Sequence, residues 1–202
     1  MARLNKNPYE SYSIQSLKDP VIFVVDMVNG FCKEGVLHDE AILDVVPAQK
    51  ELMDACECRN VFVCDNHPPH TREFESYPPH CVIGTSEARV IEELAPYIKR
   101  HISKNSTNTF HAPGFREFLE TEINWYKDII IVGCCTDLCI LQFVLSLQSY
   151  LNEHNMTDHQ IIVPVDCVET YHIEGVHDAY MWNEMALENM KINGVKVVSQ
   201  VK

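Results

Sequence analysis

Three side chains far apart in the sequence have the types that nucleophilic chemistry needs: Asp26, Lys104 and Cys139. Cys139 follows the apolar run Asp128–Val132, the turn residue Gly133 and a Thr136 suited to capping a helix from Asp137 to about Asn152. A cysteine in a first helical turn lies among free backbone N–H groups, at the positive end of the helix dipole, where a thiol ionises most readily. The competing reading makes Cys139 a small buried hydrophobe. Asp26 directly follows the β-branched run Val21–Val25. A carboxylate there is partly desolvated and gains proton affinity, as suits a general base for Cys139 and a later acid for the leaving group. The alternative is an aspartate that caps a turn. Lys104 would pair with both as a fixed cation; otherwise it is a solvated surface lysine.

A second constellation has metal-ligand character. Asp65 and His67 follow the run Asn60–Cys64, and a proline-rich loop then carries His70, Glu73, Tyr77 and His80. Imidazole and carboxylate together suit Zn²⁺ or Fe²⁺. The alternative is a proline-rich surface loop with scattered histidines.

These residues need elements to gather them. Apolar runs of strand length occur at Val21–Val25, Asn60–Cys64, Lys99–Ser103, Asp128–Val132, Gln160–Val165 and Val195–Ser199. Helical patterns alternate with them at Ala41–Cys58, with Pro47 an awkward interruption, and at Ser86–Ile98, Gly114–Ile123, Asp137–Asn152 and Val176–Ile192. The alternation predicts an α/β fold: three α/β/α layers around a six-stranded, mostly parallel sheet of Rossmann-like kind. In such sheets ligands bind beyond the carboxyl ends of the strands, where strand order reverses. Asp26, Asp65, Lys104 and Cys139 all fall at that edge, as do Asp166 and Cys167, to which no motif gives a role.

Bulk properties narrow the class. One domain of 202 residues, with its core over about 20–199, is expected. A net charge of −13 argues against nucleic acid and anionic membranes as partners, and favours a small neutral or cationic ligand. Nine irregularly spaced cysteines do not form a disulfide framework, and Cys56-Glu57-Cys58 lacks the second pair of a zinc knuckle. The first residues lack the apolar core of a signal peptide, so a cytoplasmic protein is expected. His101, His111, His154, His159, His172 and His177 show no ligand spacing.

The element Gly133-x-x-Thr136-Asp137-x-Cys139-Ile140, with Asp26 and Lys104 ahead of it, resembles the isochorismatase-like cysteine hydrolases over about Pro20 to Val198. The resemblance implies an Asp26–Lys104–Cys139 catalytic triad. It also implies a cis Cys134–Cys135 peptide and an oxyanion hole made of the Cys135 and Cys139 N–H groups. Asp65-x-His67 and Pro79-His80-Cys81-x-x-Gly84-Thr85 are similar to the metal loop of the nicotinamidase branch. That likeness implies a divalent metal, Zn²⁺ first with Fe or Mn as alternatives, held by Asp65, His67 and His80. Glu73, seven residues before His80, is the further ligand, and His70 its competitor. It places Phe31 and Tyr77 against the substrate ring and Asn29 at the metal's water shell or the substrate.

The implied activity is hydrolysis of nicotinamide to nicotinate and ammonia in pyridine nucleotide salvage, through a Cys139 thioester, by a homo-oligomer (dimer or tetramer) acting on a small amide. Tyr77 stands where that branch often has Trp, and Ser86-Glu87-Ala88 where it commonly has a Gly-Ala pair, so pocket shape is where this chain departs. Two other readings compete. One is an amidohydrolase for a carbamoyl or ureido substrate. The other is a non-catalytic metal- or thiol-binding protein.

Overall fold

The computed structural model describes residues 2–202. The strands are β1 (Val21–Val25), β2 (Arg59–Asp65), β3 (Arg100–Lys104), β4 (Asp128–Cys134), β5 (Gln160–Pro164), β6 (Val168–Glu169) and β7 (Lys196–Val198). All pairs are parallel, in the order β3-β2-β1-β4-β5-β7, with β6 added beside the end of β4. The added β6 makes seven strands rather than six. The chain leaves β1 in one direction through β2 and β3 and resumes on the other side at β4, so strand order reverses between β1 and β4.

The central strands are buried on both faces, as their continuous apolar runs require. Val21, Phe23 and Val25 face one core, beneath α3 (Pro113–Thr121), α4 (Leu141–Glu153) and α5 (Ala179–Ile192). There Phe23 meets Phe115, Phe118 and Phe143 edge-on at 5.5, 5.1 and 5.6 Å between ring centroids. Ile22 and Val24 face the other core, which includes α2 (Val46–Cys56) and the short helix α1 (Asn29–Cys32).

Several local expectations are corrected. The stretch Ser86–Ile98 is not a helix. Its backbone is engaged elsewhere: Asn29 N–H donates to Arg89, Gly30 N–H to Glu87, and Val28 bridges Val90. Only Ala95–Tyr97 closes a 3₁₀ turn. The stretch Ala41–Cys58 divides into a 3₁₀ turn, Glu40–Val45, and α2. Pro47 sits in the first turn of α2, where it costs no hydrogen bond. The last helix starts at Ala179, capped by Asp178 Oδ1 accepting from Tyr180 N–H at 3.0 Å.

One glycine is dictated by close approach. Gly133 has φ +121°, and a Cβ there would lie 2.0 Å from the Val25 carbonyl oxygen. Strands β1 and β4 therefore converge at the point where the site begins.

Candidate active site

The sheet register delivers most of the polar residues. Asp65 and Lys104 end β2 and β3 as direct cross-strand partners. Asp26 leaves β1 with a positive φ of 54°, its N–H bonded to Val63 O. Its Oδ1 accepts from Asp65 N–H at 2.8 Å. Lys104 Nζ lies 2.7 Å from Asp26 Oδ2, 2.6 Å from Asp65 Oδ1 and 3.9 Å from Cys139 Sγ. Lys104 is 2% exposed and both carboxylates are nearly inaccessible, so it is no surface lysine.

Electrostatics follow from this burial. Desolvation, with Asp65 alongside, pushes the Asp26 carboxyl up to about 6 against the pull of Lys104. Desolvation also opposes ionisation of Asp65, but Lys104, His67 and His80 outweigh it and hold that carboxyl far below the usual range. Lys104 would be lowered by burial, yet the two carboxylates raise it well above an ordinary lysine. The ammonium thus stays charged between one firm anion and one titratable carboxyl.

Cys139 differs from the expectation. Thr136 is not a cap: its Oγ1 is buried without a hydrogen-bond partner, and Thr136–Ile140 forms a π-type turn ahead of α4. Burial raises the Cys139 thiol well above its ordinary value, and Lys104 opposes this only in part. The sulfur rests as a thiol beside Asp26 rather than as a preformed thiolate. The preceding Cys134–Cys135 peptide is cis.

The metal-ligand candidates converge. One ligand atom from each of Asp65, His67, Glu73 and His80 lies within 4.8 Å of the others. His67 Nδ1 is 2.9 Å from Asn105 Oδ1, and His80 Nδ1 is 2.8 Å from the Pro78 carbonyl. Both Nε2 atoms therefore point at Asp65, at 3.4 and 3.7 Å, and His67 Nε2 is buried with no hydrogen-bond partner. A buried imidazole lone pair aimed at a carboxylate is destabilised unless a cation lies between. The donor set therefore fits a divalent metal. Glu73, not His70, joins the cluster; its carboxylate accepts from Thr107 N–H and Oγ1, both at 3.0 Å.

Cys139 and three of the metal-ligand candidates, Asp65, Glu73 and His80, open onto one cavity of about 180 Å³, whose wall also includes Phe31, Tyr77 and Cys135. Asn29 is not in that wall; its side chain donates to Ser86 O. Asp166 and Cys167 also stay outside. Sequence reasoning missed Val36, Leu37, His38, Tyr171, His172 and Ile173, which line the wall from loops without a motif, and Leu138, which lies inside the Cys139 motif. Asn105 and Thr107 were missed as well, although their position just after Lys104 could have flagged them. No lining residue is Lys or Arg.

A doubly wound parallel sheet, with a thiol, an ammonium and paired carboxylates buried at its switch point, defines an α/β domain of hydrolase type. Residues 20–200 match the isochorismatase domain, and the chain belongs to the isochorismatase family. It is similar to nicotinamidase 1 of Arabidopsis thaliana, with 28% identity over 172 residues. That match covers 74% of this chain and 66% of the relative's length. Its fold is similar to that of the pyrazinamidase of Pyrococcus horikoshii in complex with zinc (24% identity, TM-score 0.72, covering 90% of this chain and 99% of the other). It is also similar to PnC1 of L. infantum in complex with nicotinate (17% identity, TM-score 0.73, covering 92% and 97%). Among the described residues no helix is long and apolar enough to cross a membrane.

Proposed function

We propose that the protein is a nicotinamidase, a cysteine amidohydrolase that converts nicotinamide to nicotinate and ammonia. One observation carries this reading. Lys104 joins Asp26 beside Cys139 to Asp65 of the metal-ligand cluster, and Cys139 and the cluster face the same small cavity. A thiol centre alone would serve many amides. The adjoining nitrogen- and oxygen-ligand cluster singles out an amide whose ring carries a further coordinating atom, as the pyridine nitrogen of nicotinamide does.

The residues have distinct tasks. Asp26, ionised, takes the proton of the Cys139 thiol as Sγ attacks the carboxamide carbon. Lys104 holds Asp26 in place and balances the charge. The oxyanion is received by the N–H groups of Cys135 and Cys139, each such donor contributing about 3 kcal/mol. Asp26 returns its proton to the amide nitrogen, the C–N bond breaks, and ammonia leaves a thioester. Water, deprotonated by Asp26, adds to the thioester carbonyl; the C–S bond breaks, and the sulfur recovers its proton. Phe31 and Tyr77 flank the ring.

Asp65, His67, Glu73 and His80 would hold a divalent metal, Zn²⁺ first, which supplies Lewis-acid coordination for a heteroaromatic nitrogen. The absence of Lys and Arg from the wall favours a neutral amide over an anionic ureido acid. Ammonia release by the purified protein, from nicotinamide, pyrazinamide and ureido compounds in parallel and with elemental analysis of the same sample, tests this reading. Release from a ureido compound but not from nicotinamide would replace it with the carbamoyl alternative.

A further inference from the structure

One buried charged network is unused by this mechanism. Asp137 stands two residues before Cys139, inside the turn that carries it. Its Oδ1 accepts from Thr170 Oγ1, and its Oδ2 lies 2.9 Å from His177 Nε2. The other ring nitrogen of His177 lies 2.9 Å from the Tyr171 carbonyl oxygen. That oxygen only accepts, so Nδ1 carries hydrogen. A carboxylate oxygen and a bare Nε2 would repel at 2.9 Å, so the pair also holds a proton between Nε2 and Oδ2. The ring is clasped between Tyr171 (centroids 3.9 Å apart, planes at 14°) and Trp182 (5.4 Å, 6°).

This network joins two parts of the site that share no strand. Asp137 belongs to the turn that presents Cys139. Tyr171, His172 and Ile173 form the loop side of the cavity wall. His177 reaches the wall through its ring contact with Tyr171 and through paired backbone bonds with Ile173, at 2.9 and 2.8 Å. The two donors on Asp137 also absorb a buried negative charge that would otherwise oppose an oxyanion next to the turn.

We propose that His177 is a positioning residue that, through Asp137 and Tyr171, locks the Cys139 turn to the Tyr171–Ile173 wall and so sets how tightly the substrate ring is held. The kinetic part of this proposal rests on the nicotinamidase reading. His177→Leu is expected to raise KM for nicotinamide about tenfold while kcat changes less than about threefold. His177→Gln, which keeps a donor for Asp137, is expected to recover most of the loss. A folded His177→Leu protein with KM within about twofold of wild type, or a Gln variant no better than Leu, overturns the proposal. So does a lowered melting temperature without the KM-against-kcat split.

Alkylation of Cys139 by iodoacetamide, followed by peptide mass spectrometry, needs no turnover. The rate is expected to rise about tenfold in His177→Leu as the wall loosens, and an unchanged rate also overturns the proposal. If wild-type protein releases no ammonia from nicotinamide, the activity reading falls and the alkylation rate alone decides the positioning role. If His177→Leu does not fold, Thr170→Val, which removes the other donor to Asp137, carries the same predictions at smaller size.

Discussion

Asp26, Lys104 and Cys139 are gathered from two strand ends and the turn that follows a third, with only Cys139 in the cavity wall, whereas Glu73 and His80 reach that wall from a loop. Asp26 and Lys104 are fixed by the sheet frame: Asp26 N–H bonds to Val63 O, the Asp26 side-chain Oδ1 accepts from Asp65 N–H, and Lys104 stands in register with Asp65. The second group is fixed by a local acceptor, Pro78 O for His80 Nδ1, and by Thr107, whose N–H and hydroxyl donate to the Glu73 carboxylate. Asp65 belongs to both, as the anion of Lys104 and the hub of the histidines. On the proposed reading, the sheet frame carries the bond-making atoms and a loop outside the sheet supplies two of the metal ligands.

That contrast can be broken experimentally. The largest effect is expected from Cys139→Ala: ammonia release should fall by roughly 10⁴-fold or more while the melting temperature barely moves. Activity within tenfold of wild type would remove Cys139 from the chemistry. Next is Lys104→Met, which leaves two carboxylates buried without their cation. A loss of about 3–5 kcal/mol in urea unfolding is expected, together with lower metal content, because both halves lean on this lysine. Intact metal content in a folded variant would show the halves to be independent.

A smaller effect is expected in the loop half. Thr107→Val removes one of the two donors that hold Glu73 and should weaken metal affinity about tenfold in chelator competition, with Cys139 alkylation unchanged. Undiminished affinity in that variant and in Glu73→Gln would remove Glu73 from the ligand set. Finally, Asp26 must be ionised to take the thiol proton, and its carboxyl is raised to about 6. The base is present above that value and lost below it, so kcat/KM should fall by about tenfold per pH unit under 6. A flat profile down to pH 4.5 would point to another base.

The same contrast explains what was legible in the sequence. β-branched runs such as Val21–Val25 and Asp128–Val132 announce strands, and residues at their ends share an edge by topology alone. Loop geometry has no such period. The apolar spacing of Val90, Ile91, Leu94 and Ile98 imitates a helix, but the backbone there is claimed by Asn29, Gly30 and Val28, contacts distant in sequence. The wall residues Tyr171 to Ile173 and the Asp137–His177 pair depend on a chain separation of about 40 residues that no local pattern encodes. Thr136 misled because its hydroxyl, suited to a cap, is buried in a turn of another kind.

The convergence at Gly133 bears on the divergence of this site. Any side chain at that position would strike the Val25 carbonyl, so the spacing between β1 and β4, and with it the reach from Asp26 to Cys139, is closed to mutational drift. Mutational change is left to the rest of the wall, such as the segment around Leu37, which shares no strand or turn with Cys139. A directed library confined to that segment would reshape the cavity without touching the turn that carries the thiol.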